Sequence, residues 1–322
     1  MQLAHGQVQA SGAAPAANAG EPGLSEQSIA QWLQRVHAAP RKHNYVGTIV
    51  VSSQAGAMAS ARIWHACTAD QQVERVDSLS GPPRSSVRHE DRVVTLLPEQ
   101  KLARIEQHES LRRFPDLLAS GAAAITDNYT ARQVGTDRIA GFDAEVVHLA
   151  PRDALRFGYR VWTERKSGLV VKLQTLSAEG AVLEQTAFSE LQLDVPIRVD
   201  RLLKLMTPPP GWRIERHDAT KTTAAAAGWQ VRNVAPGFKP MDCYRRNGGA
   251  AGALQCVFSD GIAAVSLFVE PGAAQSPVQE GTLSAGATHT VSRRLQDWRI
   301  TAVGEVPPQV LRGFVQGLER LP

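Results

Sequence analysis

Cysteine is scarce in this chain of 322 residues: Cys67, Cys243 and Cys256 are the only three. Three is an odd count, so a framework that pairs all of them within the chain is excluded. Long apolar runs are missing too. None approaches the roughly 18 residues that a membrane-crossing helix needs. The start, MQLAHGQVQASGAAPAANAGEPGLSEQ, lacks the apolar core of a secretion signal and is dominated by Ala, Gly, Ser and Pro. Residues 1–23 therefore read as a disordered leader. There is no large excess of one charge, with a net +4 and a pI near 9.1. Between Arg84 and Arg113 seven Lys and Arg residues are interleaved with Glu90, Asp91, Glu99, Glu106 and Glu109. Without a basic stripe carrying aromatics, nucleic acid is not an expected partner. An anionic lipid head group or peptide suits any local basic patch better.

Motifs of catalysis are absent as well. The chain has no G-x-S-x-G elbow, no Walker loop and no G-x-G-x-x-G. HEDRV opens like a zinc-protease helix, but Val93 stands where the second His belongs. His65 and Cys67 share a strand face with no second ligand pair at metal spacing, so neither a metal nor another cofactor is expected. No His follows a Ser or Cys in a triad order, and nothing marks a carboxylate pair as buried together. The chain reads as a binder and not as an enzyme. The rival is a hydrolase of acylated substrates with an unfamiliar site.

What is present is an ordinary globular composition, 43% hydrophobic and 20% charged, in a chain long enough for two cores. Tyr159–Leu176, YRVWTERKSGLVVKLQTL, alternates with period two on either side of Lys166-Ser167-Gly168 and predicts a β-hairpin. Tyr159, Val161 and Thr163 oppose Arg160, Trp162 and Glu164; after the turn Leu169, Val171 and Leu173 share a face. Further strand-like runs lie between Asn44 and Glu109 and between Ala131 and Leu193. Ser25 is placed to cap a helix with Ile29, Trp32, Leu33 and Val36 on one face. Leu111–Gly121 reads as a short helix with Pro115 near its start. From Asp194, residues Val195, Val199, Leu202, Leu203 and Met206 fall on one helical face. RHDATKTTAAAAG then has the composition of a connector. The division expected is 24–206 for a large unit, 207–228 for a linker and 229–322 for a small α+β unit closed by a helix through Pro307–Leu321.

Cys243 and Cys256 bracket a turn signal at Asn247-Gly248-Gly249. They are either bridged, which would stabilise by about 3 kcal/mol and imply an oxidising compartment, or two buried thiols. Cys67 reads as a packed strand residue. A long antiparallel sheet buries one face only if something covers it, and three helices look too few. An apolar trough follows, with Val50, Ile63, Leu96, Val171 and Leu173 as candidate cavity residues. A core completed by those helices is the plain alternative. Trp64 and Trp162 are candidates for the cavity rim or for a core edge. Phe258, Asp260 and Gly261 read as an exposed loop after a strand, with a simple β-turn as the plain reading.

The segments GTDRIAGFDAEVVHLAPRD, YRVWTERKSGLVVKLQTLSAEGAVLEQ, WQVRNVAPGFKPM, VFSDGIAAVSLFVE and ITAVGEVPPQ resemble, in order, those of the RseB/MucB family, from about Ile29 to the end. FSDG combined with VGE-x-PPQ is the more specific part. Members are periplasmic negative regulators of the envelope stress factor sigma-E. The resemblance implies a half-closed antiparallel β-barrel domain with helices, similar to the lipoprotein carriers LolA and LolB, followed by a small α+β domain. It implies binding, mainly through the small domain, with Phe258, Asp260 and Gly261 as the candidate contact residues, to the periplasmic region of a membrane-anchored anti-sigma factor of RseA/MucA type. That factor would be hidden from its first protease and released when lipopolysaccharide or another acylated molecule, such as a lipoprotein, fills the cavity. It places the protein in the periplasm, a location for which this sequence carries no signal peptide. A homo-oligomer stays open, as does the alternative of a lipoprotein or lipid carrier without a regulatory partner.

Overall fold

Alternation along the chain builds two large sheets, separated by a single residue, and one two-stranded ribbon. The computed structural model describes residues 26–68, 70–107, 114, 122–232, 234–246, 252–272 and 281–321. The leader, Ser25, the Asn247-Gly248-Gly249 turn and the helix expected over Leu111–Gly121, apart from Phe114, lie outside the described residues.

The larger sheet contains β1 (Tyr45–Ser53), β2 (Met58–Cys67), β3 (Gln72–Ser78), β4 (Ser85–His89), β5 (Arg92–Leu97), β6 (Leu102–Gln107), β7 (Tyr129–Ile139), β8 (Phe142–Pro151), β9 (Gly158–Glu164), β10 (Val170–Leu176), β11 (Val182–Leu193) and β12 (Arg213–His217). Its order is β12-β6-β5-β4-β3-β2-β1-β11-β10-β9-β8-β7. Two antiparallel meanders meet where β11 returns beside β1. β12 joins β6 in parallel. β7 and β12 end the order, so the sheet stays open, as the half-closed α+β architecture requires.

Helices cover this sheet on both faces. α1 (Glu26–Ala38) buries Ile29, Trp32, Leu33 and Val36, the four residues its periodicity marks. With Ile125 of α2 (Ala122–Asn128) they pack on Val147, Leu149, Tyr159, Val161 and Val170. Cross-strand register carries Val161 to Leu173, Thr186, Val51 and Ala59, the face of Ile63. The opposite face, with Ala66, Val87 and Val94, is closed by Leu202 of α3 (Val199–Lys204) and by Met206. α3 is shorter than its apolar pattern: Pro196 disfavours helical conformation at Val195, and Arg198 is still extended, with ψ 100°.

The hairpin of Tyr159–Leu176 forms, but with a bulge between Val170 and Lys172. The extra residue breaks the simple alternation after the turn. Val170 and Leu173 pack with Tyr159 and Val161, while Leu169 and Val171 pack with Trp162.

The smaller sheet contains β13 (Ala219–Thr222), then, after the short β14 (Trp229–Val231), β15 (Lys239–Arg246), β16 (Leu254–Ser259), β17 (Ala264–Pro271), β18 (Gly281–Ala285), β19 (Thr288–Leu295) and β20 (Trp298–Gly304). Its order is β13-β15-β16-β17-β20-β19-β18. α4 (Pro308–Gln316) lays Val310, Leu311 and Phe314 over Leu267, Ile300 and Ala302. The closing helix is shorter than its stripe suggested. Leu318 belongs to β21 (Leu318–Arg320), which pairs with β14, and Leu321 is not buried. The helix ends at Gly317, where only glycine fits because a Cβ would overlap the Arg232 carbonyl oxygen. Cys243 and Cys256 are direct cross-strand partners, and the structure joins them in a disulfide.

Composition misled in one place. RHDATKTTAAAAG is not a loose tether: residues through His217 finish β12 and Ala219 begins β13, with only Asp218 between.

Candidate functional site

The Ser259–Ala263 turn joins β16 to β17 and is stiffened from within. Gly261 N–H donates to Ser259 Oγ at 3.0 Å, and Ser259 Oγ donates to the Ala263 carbonyl at 2.9 Å. Asp260 Oδ1 accepts the N–H groups of Ile262 (3.0 Å) and Ala263 (2.8 Å), the side-chain-to-backbone pattern for which Asp favours turns. Gly261 takes φ +110°, which a side chain rarely tolerates.

The outer oxygen of Asp260 faces the larger sheet. Asp260 Oδ2 accepts from Tyr129 Oη at 2.9 Å and from Arg156 Nη1 at 3.2 Å. Asn128 Nδ2 donates to the Asp260 carbonyl at 3.3 Å. Arg156 and Asp260 side chains are both fully buried. The remaining guanidinium nitrogens bond Asp153 Oδ1 (3.0 Å) and the Pro236 carbonyl (2.6 Å), so each nitrogen of the buried cation has a partner. Burial pushes the Asp260 carboxyl up, against the pull of its N–H donors, Tyr129 and Arg156. Burial, then the neighbouring Tyr159 and Asp260, push the Tyr129 phenol well above its ordinary value, which keeps it a donor.

The turn expected to be exposed is thus closed. Phe258 lies in the core of the smaller sheet, and Asp260 and Gly261 are buried against the larger one. As a free surface for a partner peptide these three residues are corrected. A turn signal says nothing about what packs upon it, and Tyr129 and Arg156 are 131 and 104 residues away.

Beside Asp260, Ile262 reaches into a small apolar crevice. Its walls are Trp32 and Val36 of α1 and Leu149, Tyr159, Val161 and Leu173 of β8–β10. The space left is about 10 Å³, room for about one water. Trp32 is fixed there by Nε1 donating to Thr163 Oγ1 at 3.2 Å.

Of the five residues expected to line an open trough, only Leu173 borders this crevice. Ile63 and Val171 are buried in a neighbouring cluster with Tyr45 and Phe188, against which Phe114 also packs. Register places Val50 beside Ser60, and links Ile63 through Val76 and Ser86 to Thr95. Val50 and Leu96 therefore stand on the face opposite Ile63, and Leu96 packs beneath α3. Ile63 and Val171 are thus filled in by the protein itself, whereas Val50, Leu96 and Leu173 are half-buried. The two tryptophans share no rim. Trp162 is buried, with Nε1 donating to Asp137 Oδ2 at 3.0 Å and the Lys172 ammonium over its ring. Trp64 sits between the Arg62 and Arg75 guanidinium groups.

A second junction holds carboxylates. The Ala287 N–H faces Glu184 Oε2 at 3.5 Å. Burial first, then Glu184, raises the Glu305 carboxyl to about 7. Gln309 Nε2 donates to the Ala154 carbonyl at 3.0 Å, and Phe157 lies against the His289 ring. Among the described residues no three His, Cys, Asp or Glu gather as metal ligands, and no helix is long and apolar enough to cross a membrane.

Two family models match this arrangement: the MucB/RseB N-terminal domain over residues 28–206 and the MucB/RseB C-terminal domain over residues 223–319. The chain belongs to the MucB/RseB family. It is 30% identical over 300 residues to the sigma factor AlgU regulatory protein MucB of Pseudomonas aeruginosa, covering 89% of each chain. It is 25% identical over 294 residues to the sigma-E factor regulatory protein RseB of Escherichia coli, again covering 89% of each. Among solved structures it is similar to the Pseudomonas aeruginosa MucA/MucB complex, at a TM-score of 0.70 and 25% identity over 91% of this chain and 99% of that one. MucB in complex with MucA(peri) superposes at a TM-score of 0.68 with the same identity and coverage.

Proposed function

We propose that this protein is a non-enzymatic regulator of a sigma-E-type envelope stress pathway. It acts in the periplasm, binds the periplasmic region of a membrane-anchored anti-sigma factor and shields that factor from its first cleavage. Lipopolysaccharide or another acylated molecule releases it. The observation that carries this reading is the likeness of both sheets together, over 91% of the chain, to MucB solved with MucA. The Cys243–Cys256 disulfide suits an oxidising compartment.

The release step is energetically reasonable. Burying about twelve acyl carbons supplies roughly 10 kcal/mol gross, at about 0.8 kcal/mol per methylene. A micromolar protein contact amounts to about 8 kcal/mol. Lipid displaces peptide only if the two prefer different arrangements of the protein.

The test uses the purified chain and the immobilised periplasmic segment of the anti-sigma factor from the same cell. Capture is expected, with slower proteolysis of the segment, and both effects are expected to disappear when lipopolysaccharide is added. Absence of capture would remove the regulatory reading. Capture that lipopolysaccharide leaves unchanged would remove the sensing half alone.

A further inference from the structure

We propose that the Ser259–Ala263 turn is a built-in competitor for the apolar crevice: Ile262 occupies the place of an alkyl chain, and Arg156, Tyr129 and Asn128 hold it there through Asp260. The inference rests on the reading that the protein takes acylated ligands, and it names where such a ligand meets resistance.

Three observations carry it. First, among the described residues the other crevice-lining side chains come from α1 and β8–β10, and Ile262 alone comes from the smaller sheet. Its sec-butyl group is chemically the end of a branched alkyl chain, set against Trp32, Val36, Leu149, Tyr159, Val161 and Leu173. Second, the backbone that carries Ile262 is tied to the larger sheet. Its N–H donates to Asp260 Oδ1 at 3.0 Å, while Asp260 Oδ2 takes Tyr129 Oη and Arg156 Nη1. Moving Ile262 out pulls on the carboxylate that the larger sheet grips. Third, with Ile262 in place the crevice keeps only about 10 Å³, too little for an alkyl chain. Entry of a chain and the closed arrangement of the two sheets therefore exclude each other. That exclusion is the differential preference which a ligand-driven shift requires.

The experiment measures binding of a dansyl-labelled undecanoic acid to the full chain. The variants are Ile262→Ala, Asp260→Asn, and Ile262→Ala combined with Leu173→Trp, each checked for a cooperative thermal melt. Ile262→Ala and Asp260→Asn are expected to bind the probe about tenfold more tightly than the unaltered chain, the scale of losing one aliphatic competitor. Leu173→Trp, which refills the crevice, is expected to cancel the gain. Because Ile262 is only half-buried, its alanine variant remains informative even if Asp260→Asn does not fold. A turn with a merely structural role would lower the melting temperature without tightening probe binding. Equal affinity in the unaltered chain and Ile262→Ala would overturn the competitor and leave acyl binding standing. No binding by any form would overturn both.

Discussion

Replacing Arg156 with Met isolates the buried charge pair at the junction. The methionine fills most of the volume but leaves the Asp260 carboxylate fully buried without its cation. Removing one partner of such a pair typically costs about 3–5 kcal/mol. The upper end is not expected here, because Ile262 N–H, Ala263 N–H and Tyr129 Oη still donate to Asp260. About 3 kcal/mol is therefore the expected loss at neutral pH, read from urea unfolding by linear extrapolation. Asp260→Asn alone leaves Arg156 with Asp153 and the Pro236 carbonyl. The double variant should be less destabilised than the sum of the singles by about 1–3 kcal/mol, since it strands no charge. A pH signature accompanies this. Burial already raises the Asp260 carboxyl, and loss of Arg156 raises it further. The folded variant then binds a proton more readily than the unfolded chain, so its deficit should shrink as pH falls and grow as pH rises. An Arg156→Met chain within about 1 kcal/mol of the original, or strictly additive singles, would show that the pair contributes little.

Glu305→Gln should flatten the pH dependence of stability. With a folded value of about 7 against an ordinary 4.5, the native carboxyl holds its proton longer, so stability falls as pH rises between those values. The change is at most about 3 kcal/mol, and melts from about pH 5 to about pH 8 would reveal a persistent slope if the reasoning fails. Reducing Cys243–Cys256, or replacing both with Ala, is expected to remove about 3 kcal/mol; a denaturation midpoint indifferent to reductant would contradict this. Gly47→Ala would place a Cβ 2.6 Å from the Glu190 carbonyl and 2.7 Å from the Phe188 ring. A loss of about 1–3 kcal/mol from overpacking is expected in the same assay.

Much of the fold was legible because its signals are local. Period two located the strands, and the spacing of Ile29, Trp32, Leu33 and Val36 located α1 and its buried face. What escaped depends on partners distant in sequence. The bulge at Val170–Lys172 is a property of register between β9 and β10. Val50 and Leu96 alternate correctly within their own strands. Only cross-strand register, Val50 beside Ser60 and the ladder from Ile63 to Thr95, shows that they belong to the other face. ATKT is poor in apolar residues and looks like a tether, yet β15 offers it an edge with which to pair. At the site, FSDG announced a turn and helped to carry the family resemblance, but said nothing of what packs on that turn. A fully buried Asp there demands a cation, but the sequence holds many arginines, and Arg156 sits in RDALRF without any distinguishing pattern.

The passage from His217 to Ala219 limits how the molecule can rearrange. Asp218 is the single unpaired link between a strand of one sheet and a strand of the other. The two bodies are geared and not tethered: movement between them comes as rotation about that residue's backbone, or needs unzipping of the four residue pairs of β13 and β15 or the five of β12 and β6. A twist delivered at the junction would then be transmitted along β13 to the edge of the smaller sheet, two strands away from the disulfide partner Cys256 on β16.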